Sequence, residues 1–205
     1  PAIRIGGISF TFADASELAY SNDQDKHGLL RFIDYCKTGK VPLDFVSFKT
    51  KTRTAFKASQ IASSIRSYLN QSGYGDVQLI ATSVEPDYAD PKLQNLVSLE
   101  YTDLKSAHLG AFQTAARIYF QDTPVDWMIA GRGPRVFSDL EAHSTINNNQ
   151  GLIVESDYFF NDATAKPSFM SLFPFRQVAG HQRVVVSEGA DSDGMTVLAS
   201  HDPNN

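Results

Sequence analysis

The sequence predicts an α/β protein whose parallel sheet is followed by a small antiparallel β element. The first observation is that four short apolar segments alternate with segments long enough to form helices. This β-α-β-α rhythm is typical of a parallel sheet, because parallel neighbours need a long crossover connection. The second observation is the tail, where two β-rich segments flank a stretch rich in Gly and Asp at residues 188–194. Such a stretch between two strands predicts a hairpin.

The four predicted strands are short. They cover residues 2–5, 43–48, 77–82 and 125–130. The third strand is apolar almost throughout, as expected of a parallel strand that is buried on both faces. The pair Gly6 and Gly7 predicts that the first strand ends in a turn and a polar loop.

Helices are predicted at about residues 25–37, 55–69, 104–120 and 166–178. In the second helix Ile61, Ile65 and Leu69 recur at intervals of four, so they share one face. The single cysteine, Cys36, lies on the apolar face of the first helix and is interpreted as a buried structural thiol. One cysteine cannot form an internal disulfide.

Composition and motifs argue against several classes of function. The net charge is −5 and the acidic and basic residues are interspersed, so nucleic-acid binding has no electrostatic support. The longest apolar runs are too short to span a membrane. No cysteine and histidine cluster has zinc spacing, and no Gly-x-Gly-x-x-Gly lies between a strand and a helix. The sequence therefore predicts no metal and no cofactor. Ser83 lacks the Gly-x-Ser-x-Gly elbow of serine hydrolases.

The segment Leu43-Asp-Phe-Val-Ser-Phe resembles the strand "plDFvSfH" of glycoside hydrolase family 39, the β-xylosidase and α-iduronidase family of (β/α)8 barrels. Other segments resemble that family in the same order along the chain. They are Ile3-Arg-Ile-Gly-Gly, Leu79-Ile-Ala-Thr-Ser-Val-Glu, Gly151-Leu-Ile with Lys166-Pro-Ser-Phe, and Val197-Leu-Ala-Ser-His-Asp. The resemblance covers the chain from about Ile3 to Asp202.

This resemblance implies that residues 1–180 form the second half of a TIM-type barrel, strands five to eight. Residues 181–205 would be the start of an accessory β-sandwich. The family's general acid/base is a glutamate on strand four, which would lie outside this chain. The chain begins with Pro1, directly before a predicted strand and without an initiator methionine, so we expect an upstream segment. The resemblance favours an extracellular or cell-surface location.

The family's nucleophile follows strand seven, and the matching position here is Ser83. A serine is neutral at pH 7 and cannot replace the carboxylate that a retaining glycosidase needs. Glu85 is a displaced substitute, because it would lie on the same face as Ser83 and about 6–7 Å further along the strand. The alternative interpretation of Glu85 is a solvated loop carboxylate before Pro86.

Other family positions also depart from the pattern. Lys49 stands where the family has histidine, Ile8 where it has proline, and Gly131 where it has an aromatic residue. These departures predict a degenerate active site. Sugar sites use aromatic faces and hydrogen-bonding side chains, so the candidate carbohydrate-binding residues are Lys49, Tyr88, Trp127 and Arg132. Trp127, in a strand pattern, could instead belong to the core.

Two functions follow from these observations. The first is a non-catalytic relative of glycoside hydrolases with a structural or carbohydrate-binding role in an assembly. The second is a glycosidase that is completed by a missing N-terminal half, with Glu85 as its nucleophile. Under either one, four strands of an open half-barrel expose two sheet edges and an inner face. The sequence therefore predicts a protein partner: the missing half, a second copy or a larger assembly.

Overall fold

The computed structural model describes residues 3–20, 22–89, 102–123, 125–129, 135–136, 153–154, 164–177, 182–183 and 200–201. Within them, four parallel strands form a sheet of order β1-β2-β3-β4. Their bounds are Phe10–Phe12, Phe45–Thr52, Gln78–Pro86 and Trp127–Met128. The predicted parallel sheet is therefore confirmed in the described residues. β2 and β3 run further than the sequence pattern predicted, to Thr52 and Pro86.

The first strand differs most from its prediction. The segment around Gly6 makes an isolated parallel bridge with Phe45, and the paired strand comes later, at Phe10–Phe12. Gly6 and Gly7 are not a turn. A Cβ on Gly6 would lie 2.3 Å from the ring of Phe45, and one on Gly7 would lie 2.2 Å from the ring of Phe32. The two glycines are needed because the backbone passes directly against these rings.

Three long helices connect the strands. They are α1 at Gly28–Gly39, α2 at Ala55–Gln71 and α3 at Thr102–Gln121. A 3-10 helix, Ala15–Leu18, precedes α1. The helix predicted at residues 166–178 is instead two short helices, α4 at Pro167–Met170 and α5 at Phe173–Gln177.

The helix ends follow ordinary capping chemistry. Thr54 caps α2 by accepting a hydrogen bond from the backbone N–H of Lys57. His27 caps α1, and its Nδ1 accepts a hydrogen bond of 3.1 Å from the backbone N–H of Leu29. α1 ends at Gly39, and its C-cap residue, Lys40, has a left-handed φ of 51°.

The sheet has one face under the helices and one open face. Under the helices lie Phe12, Val46, Phe48, Leu79 and Ala81, all of them buried. They pack with the apolar faces of α1 and α2 into one core. Cys36 belongs to this layer, where burial raises the pKa of its thiol, so the prediction of a buried structural thiol is confirmed.

The open face carries the alternate residues of each strand. Phe45 pairs with Gln78, and Ser47 pairs with Ile80, which in turn pairs with Trp127. The open face therefore holds Phe45 and Ile80, whereas their neighbours Val46 and Leu79 lie under the helices. This face is only partly apolar, because Ser47 and Gln78 lie on it.

Two small antiparallel ladders lie outside this sheet. β5, Arg135–Val136, pairs with β6, Ile153–Val154, and β7, Gln182–Arg183, pairs with β8, Ser200–His201. The second ladder confirms antiparallel pairing in the tail. The boundary at residue 180 and the β-sandwich assignment stay predictions.

Candidate functional site

The C-terminal ends of β2 and β3 bring a polar group of side chains onto the open face. The register pairs Lys49 with Ser83 and Lys51 with Glu85, while Thr11 of β1 pairs with Lys49 on the other side. In barrels, functional side chains stand at the C-terminal ends of the strands. These five residues, Thr11, Lys49, Lys51, Ser83 and Glu85, are called the polar end of the sheet below.

Ser83 and Glu85 are joined within this group. The Oγ of Ser83 donates a hydrogen bond of 2.7 Å to Oε1 of Glu85. The two side chains therefore share a face, as the period of two along a strand predicted. Glu85 lies inside β3 and is half-buried, so the interpretation as a solvated loop carboxylate is wrong. Likewise Ser83 lies inside its strand rather than directly after it, because β3 continues to Pro86.

Glu85 is the single carboxylate among the residues of β1, β2, β3 and β4. Lys49 and Lys51 face it from β2 and are exposed, and in the described residues neither lysine forms an ion pair. The polar end thus offers two ammonium donors and one carboxylate whose Oε1 already accepts the Ser83 hydroxyl. This set can bind hydroxyl groups in several orientations.

A step in the register lies directly before Ser83. Phe48 pairs with Ala81, but the next residue, Lys49, pairs with Ser83, so Thr82 is an extra residue on β3. This is a β-bulge, a feature that is over-represented beside active sites. The Oγ1 of Thr82 donates a hydrogen bond of 3.1 Å to the carbonyl of Phe48, and it lies 3.0 Å from the Oγ of Ser9.

The other candidate residues are not gathered at the polar end. Trp127 lies on the open face with 62% of its surface exposed, beside Ile80 and two residue pairs before Lys49 and Ser83. It is therefore not part of the core beneath the helices. The ring of Tyr88 lies 5.7 Å from that of His108 in α3, on the helix side. Burial lowers the pKa of His108.

The remaining sequence candidates fall elsewhere. Arg132 and Gly131 lie outside the described residues. Ile8 is exposed and precedes β1. Among the described residues, no three His, Cys, Asp or Glu side chains are grouped so that they could hold a metal ion. None of the helices in the described ranges is both long and apolar enough to cross a membrane.

Sequence reasoning missed Thr11, Lys51 and Thr82. A signal for Lys51 was present in the run Lys49-Thr-Lys-Thr, in which charged and hydroxyl residues alternate. This alternation continues β2: Thr50 and Thr52 are buried under the helices, while Lys49 and Lys51 are exposed.

Comparison with solved structures supports a glycosidase-like fold. A glucosidase from Croceicoccus marinus matches 100% of this chain with a TM-score of 0.64 and 22% sequence identity. The chain spans 38% of the length of that glucosidase. No protein-family model and no curated protein sequence matches the chain. The parallel four-stranded sheet and this likeness are consistent with a partial TIM-barrel-like domain, whereas membership of family 39 stays a prediction.

Proposed function

We propose that the chain is a non-catalytic, glycoside-hydrolase-like barrel segment with a structural or carbohydrate-binding role in an assembly. The observation that supports this most is that the position of the family's nucleophile holds a serine, Ser83, which donates its hydroxyl to Glu85, the one carboxylate of the four described sheet strands. A retaining glycosidase needs two carboxyl groups about 5 Å apart, and an inverting one needs two at a larger spacing. Glu85 has a serine hydroxyl as its partner instead.

The polar end is suited to hold a sugar without cleaving it. Sugar hydroxyls both donate and accept hydrogen bonds, and Lys49, Lys51, Thr11, Ser83 and Glu85 supply both kinds of partner. Trp127 adds an exposed aromatic face on the same side of the sheet. An aromatic face and a few placed polar groups are the usual ingredients of a small-molecule site. We therefore assign carbohydrate binding to this end of the sheet.

The test of carbohydrate binding is a titration of the isotope-labelled chain with xylohexaose and cellohexaose, followed by amide NMR shifts. We expect saturable shifts at Thr11, Lys49 and Ser83. The double change Lys49→Ala with Lys51→Ala should abolish them, whereas Lys37→Ala, an exposed lysine of α1, should leave them unchanged. Shifts that survive the double change, or no saturable shifts with either sugar, would refute carbohydrate binding at the polar end.

A second candidate function, a glycosidase, is favoured by one observation. Glu85 lies near the C-terminal end of a nine-residue strand and on the open face, where barrel enzymes place their carboxylates. A segment that supplies a second carboxyl group opposite Glu85 would complete the pair. The signature of this function is turnover of aryl β-xylosides or β-glucosides that Glu85→Gln abolishes.

The open face also motivates the role in an assembly. Phe45, Ile80 and Trp127 lie on it, and Ile129 beyond β4 is exposed as well. The outer strands β1 and β4 each have a free side in the described sheet, and free strand edges invite pairing. We propose that further barrel strands cover this face, from a missing half, a second copy or a larger assembly.

A further inference from the structure

The alternation of buried and open-face residues along β3 shifts by one residue in the middle of the strand. Leu79 and Ala81 are buried under the helices, and with unbroken alternation the next buried positions would be 83 and 85. Instead Val84 and Pro86 are the buried residues, and Ser83 and Glu85 are half-buried on the open face. One extra residue accounts for the change, because every later side chain is turned to the opposite face.

That extra residue is Thr82, and its side chain contacts β2 and the segment that precedes β1. Its hydroxyl donates to the carbonyl of Phe48, the residue of β2 at the step in the register. A threonine hydroxyl has one proton, so the 3.0 Å contact with Ser9 must have the Ser9 hydroxyl as donor. The chain Ser9 to Thr82 to Phe48 thus spans three adjacent segments of the sheet at the level of the bulge.

We propose that Thr82 is a positioning residue for the polar end: its two hydrogen bonds hold the bulge that turns Ser83 and Glu85 towards Lys49 and Lys51. This inference rests on the proposed binding role of that end. Without the bulge, Ser83 and Glu85 would face the apolar layer where Val84 now lies, and Val84 would face the lysines. The polar end would then lose its carboxylate.

The experiment measures which face each side chain occupies. Ser83→Cys and Val84→Cys are introduced separately, and the rate of thiol labelling by a small water-soluble disulfide reagent is followed. Each is combined with Thr82→Val, which removes the hydroxyl, and with Thr82→Ser, which keeps it. The native Cys36 is buried, so its slow labelling reports any general loosening of the fold.

We expect a reciprocal change. In the Thr82→Val background, labelling at position 84 should accelerate by about tenfold and labelling at position 83 should slow, by a smaller factor, since two hydrogen bonds of ordinary net strength are lost. Thr82→Ser should restore both rates, and Cys36 should stay slow throughout. General destabilisation would instead accelerate all three positions.

Acceleration at all three positions, or unchanged rates in Thr82→Val, would overturn the role of Thr82. The labelling involves no sugar, so its outcome is independent of the binding titration. If the labelling rates change reciprocally but the sugar titration shows no binding, the proposal of carbohydrate binding is refuted. The role of Thr82 in orienting β3 is then still supported.

Discussion

Arg66 of α2 and Asp126, directly before β4, form an ion pair of 2.9 Å between Nη2 and Oδ2, and both partners also bond the backbone around β3. Arg66 Nη1 donates to the carbonyl of Val77 at 2.6 Å, and Asp126 Oδ2 accepts from the backbone N–H of Leu79 at 2.7 Å. Arg66 is buried. This pair therefore fixes α2, β3 and the entry to β4 in one place, and thereby positions the row that carries Trp127.

We predict that Arg66→Ala lowers the free energy of unfolding by about 1–3 kcal/mol, because it leaves the buried carbonyl of Val77 and the half-exposed carboxylate of Asp126 without their donor. Urea unfolding followed by circular dichroism measures the loss. Lys57→Ala is the control, since the Lys57–Asp14 pair is 2.6 Å long but both side chains are more than 40% exposed. Breaking that pair should cost less than about 1 kcal/mol. Equal losses of free energy of unfolding in the two variants would show that Arg66 does not hold α2, β3 and the entry to β4 together.

Gly110 of α3 is predicted to resist substitution. A Cβ at Gly110 would lie 2.9 Å from the Cα of Ser168 in α4, which is backbone and cannot turn aside. Replacing a glycine inside a helix with alanine usually raises the free energy of unfolding by up to about 1 kcal/mol. Here we expect Gly110→Ala to lower the free energy of unfolding by about 1–3 kcal/mol instead.

The control is Gly75→Ala. The nearest atom to a Cβ there is the side-chain Oδ1 of Asn70 at 3.3 Å, which can move. Thermal or urea unfolding of the two variants should differ in midpoint. Gain of stability in Gly110→Ala would show that α3 and α4 are not packed at this distance.

His27, the N-cap residue of α1, should make the free energy of unfolding depend on pH. His27 Nδ1 accepts a hydrogen bond, and its ring packs 4.5 Å from the ring of Phe12, measured between centroids. Burial lowers the pKa of His27 from its ordinary value of 6.5, while the nearby charge of Glu17 acts in the opposite direction. The fold therefore favours neutral His27, whose contribution is complete above pH 6.5 and is lost as the pH falls below it.

The variant that tests this is His27→Asn, because asparagine can cap a helix but does not titrate. Free energies of unfolding should be measured at about pH 7.5 and about pH 5, on either side of the ordinary histidine pKa. We expect the wild type to lose more stability than His27→Asn over this interval. His108 also has a lowered pKa, but it is present in both proteins and cancels. If the free energies of unfolding of the two proteins change with pH in parallel, neutral His27 does not stabilise the start of α1.

Trp127 is the single tryptophan of the chain, so its fluorescence reports on the open face alone. At high dilution we expect the red-shifted, readily quenched emission of an indole in water, because 62% of its surface is exposed. Raising the chain concentration, or adding a segment that completes the barrel, should shift the emission to the blue as the face is covered. Emission that stays water-like at every concentration and with every such segment would argue against a partner on this face.

The sequence predicted the parallel sheet and its helices because those features depend on local periodicity. α2 begins at the predicted residue, and its apolar stripe of Ile61, Ile65 and Leu69 is fully buried. The first strand was misplaced because two glycines usually signal a turn, whereas Gly6 and Gly7 make room for the rings of Phe45 and Phe32. That close approach is a tertiary contact that no local pattern reveals.

The composition of the polar end was predicted only in part, for a related reason. Ser83 and Glu85 were expected to share a face, and they do, since that follows from the strand period. Which face they share depends on the extra residue Thr82. A bulge of this kind is visible only when β3 is paired with β2, because the residues themselves, Ala-Thr-Ser-Val, would suit an unbroken strand.

The central claim is that this chain does not by itself cleave glycosidic bonds, and hydrolysis of aryl β-xylosides and aryl β-glucosides by the purified chain tests it most directly. We predict no turnover above the buffer rate, with the same null result in Glu85→Gln and Ser83→Ala. The physical reason is that the four strands offer Glu85 no second carboxyl group. Turnover by the wild-type chain that disappears in Glu85→Gln would contradict the claim and identify Glu85 as a catalytic carboxylate.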